Sequence, residues 1–117
     1  MRRSGPPGHE VVRLGSVALI SDQTLTYGAR SVRLTPTEFR FARYLARWPG
    51  QPVSVADLLE RVWRYPKGTA GGEVVRAHVR NLRAKLREAG IPPDLIRTHR
   101  RAGYSLEPSP TDKRRKS

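Results

Sequence analysis

Cysteine is absent from this 117-residue chain, so neither a disulfide framework nor a thiolate metal site can be built. Acidic residues are scarce: ten Asp and Glu stand against 23 Lys and Arg, a formal charge of +13. Long apolar runs are missing too. The longest, Val17–Ile20, is far too short to span a bilayer, and no apolar segment follows the arginines of the opening MRRSGPPG, so that stretch is not expected to be a secretory signal. No phosphate-cradling glycine loop precedes a helix, the three histidines have no evident partner, and the carboxylates are scattered over caps and helix faces. An enzyme would have little to work with. The expectations are no metal, no cofactor, no membrane and no catalysis, in a soluble cytoplasmic protein.

What is abundant is positive charge, and its self-repulsion makes sense chiefly if a polyanion is the partner. Residues 1–8 hold two arginines, and 109–117 hold two lysines, two arginines and one aspartate, which leaves +8 on the body between them. Both ends read as disordered basic tails. Residues 9–108 read as one domain with a modest core.

Within that body the stretch from Glu73 to Arg87 organises the rest. Val75, Val79, Leu82 and Leu86 recur on one helical face. Arg76, Arg80, Arg83 and Arg87 follow one step later as a row along its flank. Opposite the stripe stand Ala77, Asn81 and Ala84, small enough to let the backbone approach a surface. Gly90 is a natural stop. Such a helix could enter a DNA major groove, or it could carry no more than a solvated basic face.

The flanking chain supplies the context. Val11–Leu14, Val17–Ile20, Thr24–Tyr27 and Ser31–Leu34 are short β-like runs between turn signals, a meander of three or four antiparallel strands with Val17/Leu19 and Val32/Leu34 alternating. Thr35-Pro36-Thr37-Glu38 is a helix start with a capping box. That helix is expected to run to about Trp48, with Phe39, Phe41, Ala42, Leu45 and Trp48 on its buried face, and to end at Pro49-Gly50. Ser54 caps a shorter second helix with Asp57 completing its box, and Val55, Leu58, Leu59 and Val62 form its core face. Arg64–Gly72 is a loop. After Gly90 the Pro92-Pro93 pair forbids helix, and Leu95–His99 and Tyr104–Glu107 form a hairpin with a basic tip at Arg100–Gly103.

The fold class is therefore α+β: a small N-terminal antiparallel sheet, three helices and a C-terminal β-hairpin wing. Helix, helix, loop, helix, hairpin is the order of a winged helix-turn-helix, in which the third helix (about 73–88) enters the major groove and the wing (about 95–107) lies along the backbone or minor groove. The expected function is sequence-specific binding of double-stranded DNA. The rival readings are a basic RNA-binding or ribosome-associated protein and a protein-interaction module. RNA recognition favours exposed aromatics, whereas most aromatics here fall at core-facing positions.

Four segments, LTPTEFRFARYLARWPG (34–50), VSVADLLERVW (53–63), VRAHVRNLRAKL (75–86) and IRTHRRAGYSL (96–106), resemble the output domain of OmpR/PhoB-type response regulators of two-component systems. The resemblance covers residues 10–108. It implies promoter binding as head-to-tail homodimers on direct repeats and places Trp63 against a phosphate. Val74, Arg80, Asn81 and Arg83 then face bases or phosphates, with Arg76, Ala77 and Arg87 on the same surface. Thr98 and Tyr104 fall at backbone-contacting wing positions, and Arg100, with Arg101 beside it, at the minor groove. The 64–72 loop matches the segment that can meet RNA polymerase. The family usually has Arg at Glu73, Asp at Arg76 and glycine at Arg101, and often Arg at Asn81, which affects the target sequence more than the fold. Its usual receiver domain is absent from these residues, so no phosphoacceptor aspartate is assigned. Core closure is the alternative role for Trp63, core anchoring for Tyr104. His78 is expected to be a partly buried structural histidine, and Gly103 to serve wing geometry.

Overall fold

The computed structural model describes residues 11–108. The two tails, and the domain's expected first residues 9 and 10, lie outside the described residues. Strands β1 (Val11–Leu14), β2 (Val17–Ile20), β3 (Thr24–Tyr27) and β4 (Arg30–Arg33) form an antiparallel meander in the order β1-β2-β3-β4. Helices α1 (Pro36–Leu45), α2 (Val55–Arg61) and α3 (Gly72–Glu88) follow, and strands β5 (Ile96–His99) and β6 (Gly103–Leu106) form the C-terminal hairpin. The expected α+β winged architecture is present.

The third helix is built as its spacing requires. Val75, Val79, Leu82 and Leu86 are all buried, against Phe41, Leu45, Leu58, Leu95, Ile96 and Leu106 in one core. Each such side chain contributes about 1.5–3 kcal/mol by leaving water. Gly90, at φ +77, takes the chain out of the helix.

Helix α1 starts on the expected capping box: the Glu38 N–H donates to Thr35 Oγ1 at 3.1 Å and the Thr35 N–H to Glu38 Oε1 at 2.9 Å. A cap of this kind is worth about 1 kcal/mol. Glu38 is otherwise buried, and its Oε1 also lies 2.7 Å from Lys85 Nζ on α3. Beside this pair sits His78, whose Nε2 is buried with no hydrogen-bond partner among the described residues.

Several expected boundaries are corrected. Helix α1 stops at Leu45 rather than near Trp48. Trp48 precedes a proline, which disfavours helical backbone, so the last bonds tighten to Arg47 N–H→Tyr44 O and Trp48 N–H→Leu45 O. Trp48 is consequently 41% exposed instead of buried. At α2 Ser54 Oγ accepts from the Asp57 N–H, but the Asp57 carboxylate turns to the Tyr44 hydroxyl at 2.8 Å rather than closing the box, and Val55 is only half-buried. Pro92-Pro93 does not forbid all helix: Pro93–Leu95 forms one 3₁₀ turn, because proline fits a first helical position. Strand β5 therefore begins at Ile96, β6 runs one residue earlier than expected, and β4 lies one residue before its expected span. In β2 Val17, Ala18 and Leu19 are all buried, so that strand is covered on both faces rather than alternating.

The Glu38–Lys85–His78 group, with Glu38 buried and the other two half-buried, makes stability pH-dependent. Burial pushes the Glu38 carboxyl up, but the Lys85 and Thr35 hydrogen bonds and the charges of Lys85 and His78 outweigh it, and the net shift is downward. Burial lowers His78, with the Glu38 charge opposing and Lys85 assisting. Both groups bind a proton less readily folded than unfolded, so both contribute stability that is lost as pH falls. The His78 contribution should decline below its ordinary value of 6.5 and that of Glu38 below 4.5. Urea midpoints across pH 8 to 3.5 check this. His78→Gln should flatten the upper window and leave the lower one; an unchanged upper slope would exclude His78 as its source.

Candidate nucleic-acid interface

With 3.6 residues per turn, the buried stripe of α3 fixes the direction of its other side chains. Ala77, Arg80, Asn81 and Ala84 fall on the opposite crest, Arg76, Arg83 and Arg87 on one flank, and Val74 and His78 on the other. Arg76, Arg80, Asn81 and Arg87 are exposed, Val74 and Ala77 half-buried. Between this arginine flank and the hairpin runs an open groove of about 490 Å³, lined by Arg76, Arg80, Arg83, Ala84, Arg87 and Thr98 together with Val79 and Tyr104. Among the described residues no acidic side chain lines it.

Arg83 differs from its row. Its Nε and Nη2 donate to the Ile96 carbonyl at 3.0 and 2.6 Å, and Nη2 also donates to Thr98 Oγ1 at 2.8 Å. The guanidinium is thus committed to β5 and fixes the distance between α3 and the wing. Burial lowers its pKa, with Tyr104 and Asp94 opposing, but an arginine stays charged throughout the physiological range.

On the opposite flank Trp63 is half-buried. Its ring meets Phe41 edge-on at 6.0 Å and His78 at 5.1 Å. The structure therefore brings the core role and the edge of the α3 surface together in one residue. His78 is half-buried, as a structural histidine should be.

The wing is held from its other edge by a contact the sequence did not reveal. The Val53 N–H donates to Tyr104 O at 2.7 Å, and the Tyr104 N–H to Val53 O at 3.0 Å. Tyr104 is buried, with its ring edge-on to Phe41 at 6.5 Å, so core anchoring is its observed role. At the tip Arg100 and Arg101 are exposed, and Arg101 adopts φ +64, the left-handed conformation glycine takes without cost. The tip also borders a second cavity of about 260 Å³ against Ser54 and Val55 of the α2 start.

On the wing's other face Ser105 is fully buried and donates to Glu107 Oε2 at 2.9 Å. Its oxygen lies 2.7 Å from His99 Nε2. With the hydroxyl proton directed at the carboxylate, the histidine is the donor in this chain. A serine so placed braces the strand and is not activated as a nucleophile. Among the described residues no group of His, Asp and Glu could hold a metal ion, and no helix is long and apolar enough to cross a membrane.

Residues 29–106 match the protein family described as transcriptional regulatory protein, C terminal. The transcriptional regulatory protein AfsQ1 of Streptomyces coelicolor is 37% identical over 109 residues, 92% of this chain and 48% of that protein. The phosphate regulon regulatory protein PhoB of Rhizobium meliloti is 44% identical over 79 residues, 68% of this chain and 34% of its own length. This chain thus spans about half or less of those relatives. Among solved structures, the DNA-binding domain of CpxR from E. coli superposes with a TM-score of 0.67 at 28% identity, covering 84% of this chain and 96% of that one. The RstA DNA-binding domain of Klebsiella pneumoniae, in complex with the RstA box, gives 0.70 at 25% identity, covering 86% and 99%.

Proposed function

We propose a function from one premise: this chain belongs to the OmpR/PhoB-type family of transcriptional regulatory protein C-terminal domains. It is a sequence-specific DNA-binding transcription regulator, with α3 reading bases in the major groove and the wing following the adjacent minor groove. The observation that carries this reading is the acid-free groove between α3 and β5–β6, lined by Arg76, Arg80 and Arg87. Asn81, exposed on the α3 crest, has two donors and an acceptor for a base edge. Trp63 and Thr98 are the phosphate donors on either side. Head-to-tail dimers on direct repeats and a cytoplasmic location complete the reading. The loop over 64–72, exposed at residues 66–70 and pinned by the Thr69 hydroxyl donating to Pro66 O, is the surface for RNA polymerase.

Selection of bound fragments from random duplex DNA, followed by competition at moderate salt, tests this function. A preferred duplex supports it; equal binding of all duplexes, or tighter binding of single-stranded RNA, rejects it. On the selected site Asn81→Ala should relax base preference by roughly 1–3 kcal/mol. Trp63→Ala should weaken all sequences alike. If both variants lose affinity equally on specific and random DNA, α3 does not read bases.

The wing residues divide by role. Arg100 enters the minor groove, whose potential is most negative in A-tracts, and Arg101 stays at the rim on a phosphate. Arg83, sequestered by Ile96 and Thr98, positions the wing rather than reading a base. Arg100→Ala should then abolish any preference for A·T flanks. Arg83→Ala should weaken that preference while the major-groove preference persists. Arg101→Gly should lower the salt slope by about one unit and relieve roughly 1 kcal/mol of left-handed strain. Binding of each variant to sites with A·T or G·C flanks, across a salt series, separates these roles. A loss of major-groove preference with intact flank preference in Arg83→Ala would return that residue to base reading.

A further inference from the structure

Helix α3 carries two carboxylates, Glu73 in its first turn and Glu88 at its last residue, about 22 Å apart along the axis. Glu73 falls in the same narrow sector as Ala77, Arg80 and Ala84, because steps of four, seven and eleven residues bring a helix back close to its starting direction. It is exposed. It therefore belongs to the crest opposite the buried stripe, one turn before Ala77, at the end of the helix whose residues meet base edges in a major groove. Among the described residues no ion pair or hydrogen bond engages its side chain. Arg76, three residues on, turns back to the helix start instead: its Nη1 lies 3.4 Å from where a Cβ on Gly72 would stand.

We infer that Glu73 reads a cytosine, accepting a hydrogen bond from its N4 amino group in the major groove. The inference rests on the reading of α3 as the base-contacting helix and names one base of its target. A carboxylate brought among phosphates is repelled and is stabilised only where a donor meets it. Guanine presents two acceptors in the major groove, N7 and O6, and thymine presents O4; all of them repel an acceptor-only carboxylate. Adenine presents its N6 donor beside the acceptor N7. Cytosine alone presents an amino donor with no acceptor on its own edge. The charge thus selects by attraction to one base and by repulsion of the others. Arg76, exposed beside the helix start, supplies the phosphate contact that offsets bringing the carboxylate in. Glu73 and Asn81 are about 12 Å apart along the helix, more than three base-pair steps of about 3.4 Å, so they read different positions. A first-turn carboxylate also stabilises the helix start, and substitution separates the two roles.

The test measures base preference at every position of the selected duplex, by competition with singly substituted duplexes. It uses the full chain and its variants Glu73→Ala, Glu73→Gln and Asn81→Ala, with a urea midpoint for each. The parent should favour cytosine at one position by about tenfold over the other bases. Glu73→Ala should lose that preference and no other. Glu73→Gln keeps the shape without the charge, and glutamine pairs with adenine N6 and N7, so the preferred base there should change from cytosine to adenine. A carboxylate that only supports the helix start would lower the urea midpoint of both Glu73 variants and leave every base preference as in the parent. That result overturns the inference. So does an equal gain of affinity by both variants on all duplexes, which would make Glu73 a repulsive charge and no more. Asn81→Ala tells the two readings apart. If it relaxes its own position while both Glu73 variants keep the parent's preferences, α3 reads bases and Glu73 does not. If the parent prefers no duplex at all, α3 reads no base and both readings fall together.

Discussion

Raising salt from about 50 to about 200 mM should cost this protein ~10³–10⁵ in affinity for its duplex site. The exposed side chains Arg76, Arg80, Arg87, Arg100 and Arg101 surround the α3–wing surface. Each that neutralises a phosphate releases condensed counterions, with a slope of about −0.9 per contact in log affinity against log salt. Those five predict a slope of roughly −4 to −5. The neutral donors Trp63 and Thr98 add contacts but no slope. Lys113, Arg114, Arg115 and Lys116 extend the range toward about −8 if they meet the backbone. Deleting residues 109–117 should therefore reduce the slope without altering base preference. Affinity that hardly changed with salt would mean that the arginine row faces solvent and not phosphate.

That row could be recognised from spacing alone, because a helix's buried stripe dictates where every other side chain points. Val75, Val79, Leu82 and Leu86 are buried as their recurrence requires, and the Thr35–Glu38 box closes as its types require. What spacing does not carry is any contact set by packing between distant elements. Arg83 shares its period with Arg76, Arg80 and Arg87, yet it alone donates to Ile96 and Thr98, because of where the hairpin docks. Glu38 and Lys85 are 47 residues apart, and nothing local to either announces the pair. Helix α1 ends earlier than its apolar spacing predicts for a local reason: the effect of Pro49 reaches back past Trp48, and that side chain emerges at the surface instead of joining the core. Val53 is a strand of one residue, too short for any alternation to show.

The Val53 contact has the largest structural consequence. Gly103 sits at φ +122, and a Cβ built there would lie 1.8 Å from Val53 O, 2.6 Å from Val53 C and 2.9 Å from Ser54 Cα. All three are backbone atoms just before α2, and none can turn aside as a flexible side chain would. Gly103→Ala must therefore push the hairpin from the Val53 segment. The move breaks the two Val53–Tyr104 hydrogen bonds, each worth about 1 kcal/mol, and draws the Tyr104 ring from Phe41. Backbone strain at this φ adds about 1–3 kcal/mol. A total of about 4 kcal/mol or more, against the roughly 5–15 kcal/mol that holds a domain folded, should leave the variant marginal. Gly28→Ala is the control: its φ is +61, but a Cβ there meets nothing within 4 Å, so it should lose only about 1–2 kcal/mol. Urea unfolding of both variants, with flank preference measured on any folded fraction, decides the matter. If Gly103→Ala is no less stable than Gly28→Ala, Val53 does not hold the wing in solution. If it is far less stable and its folded fraction ignores the flanks, this one missing methyl group is what lets the wing dock beside α3.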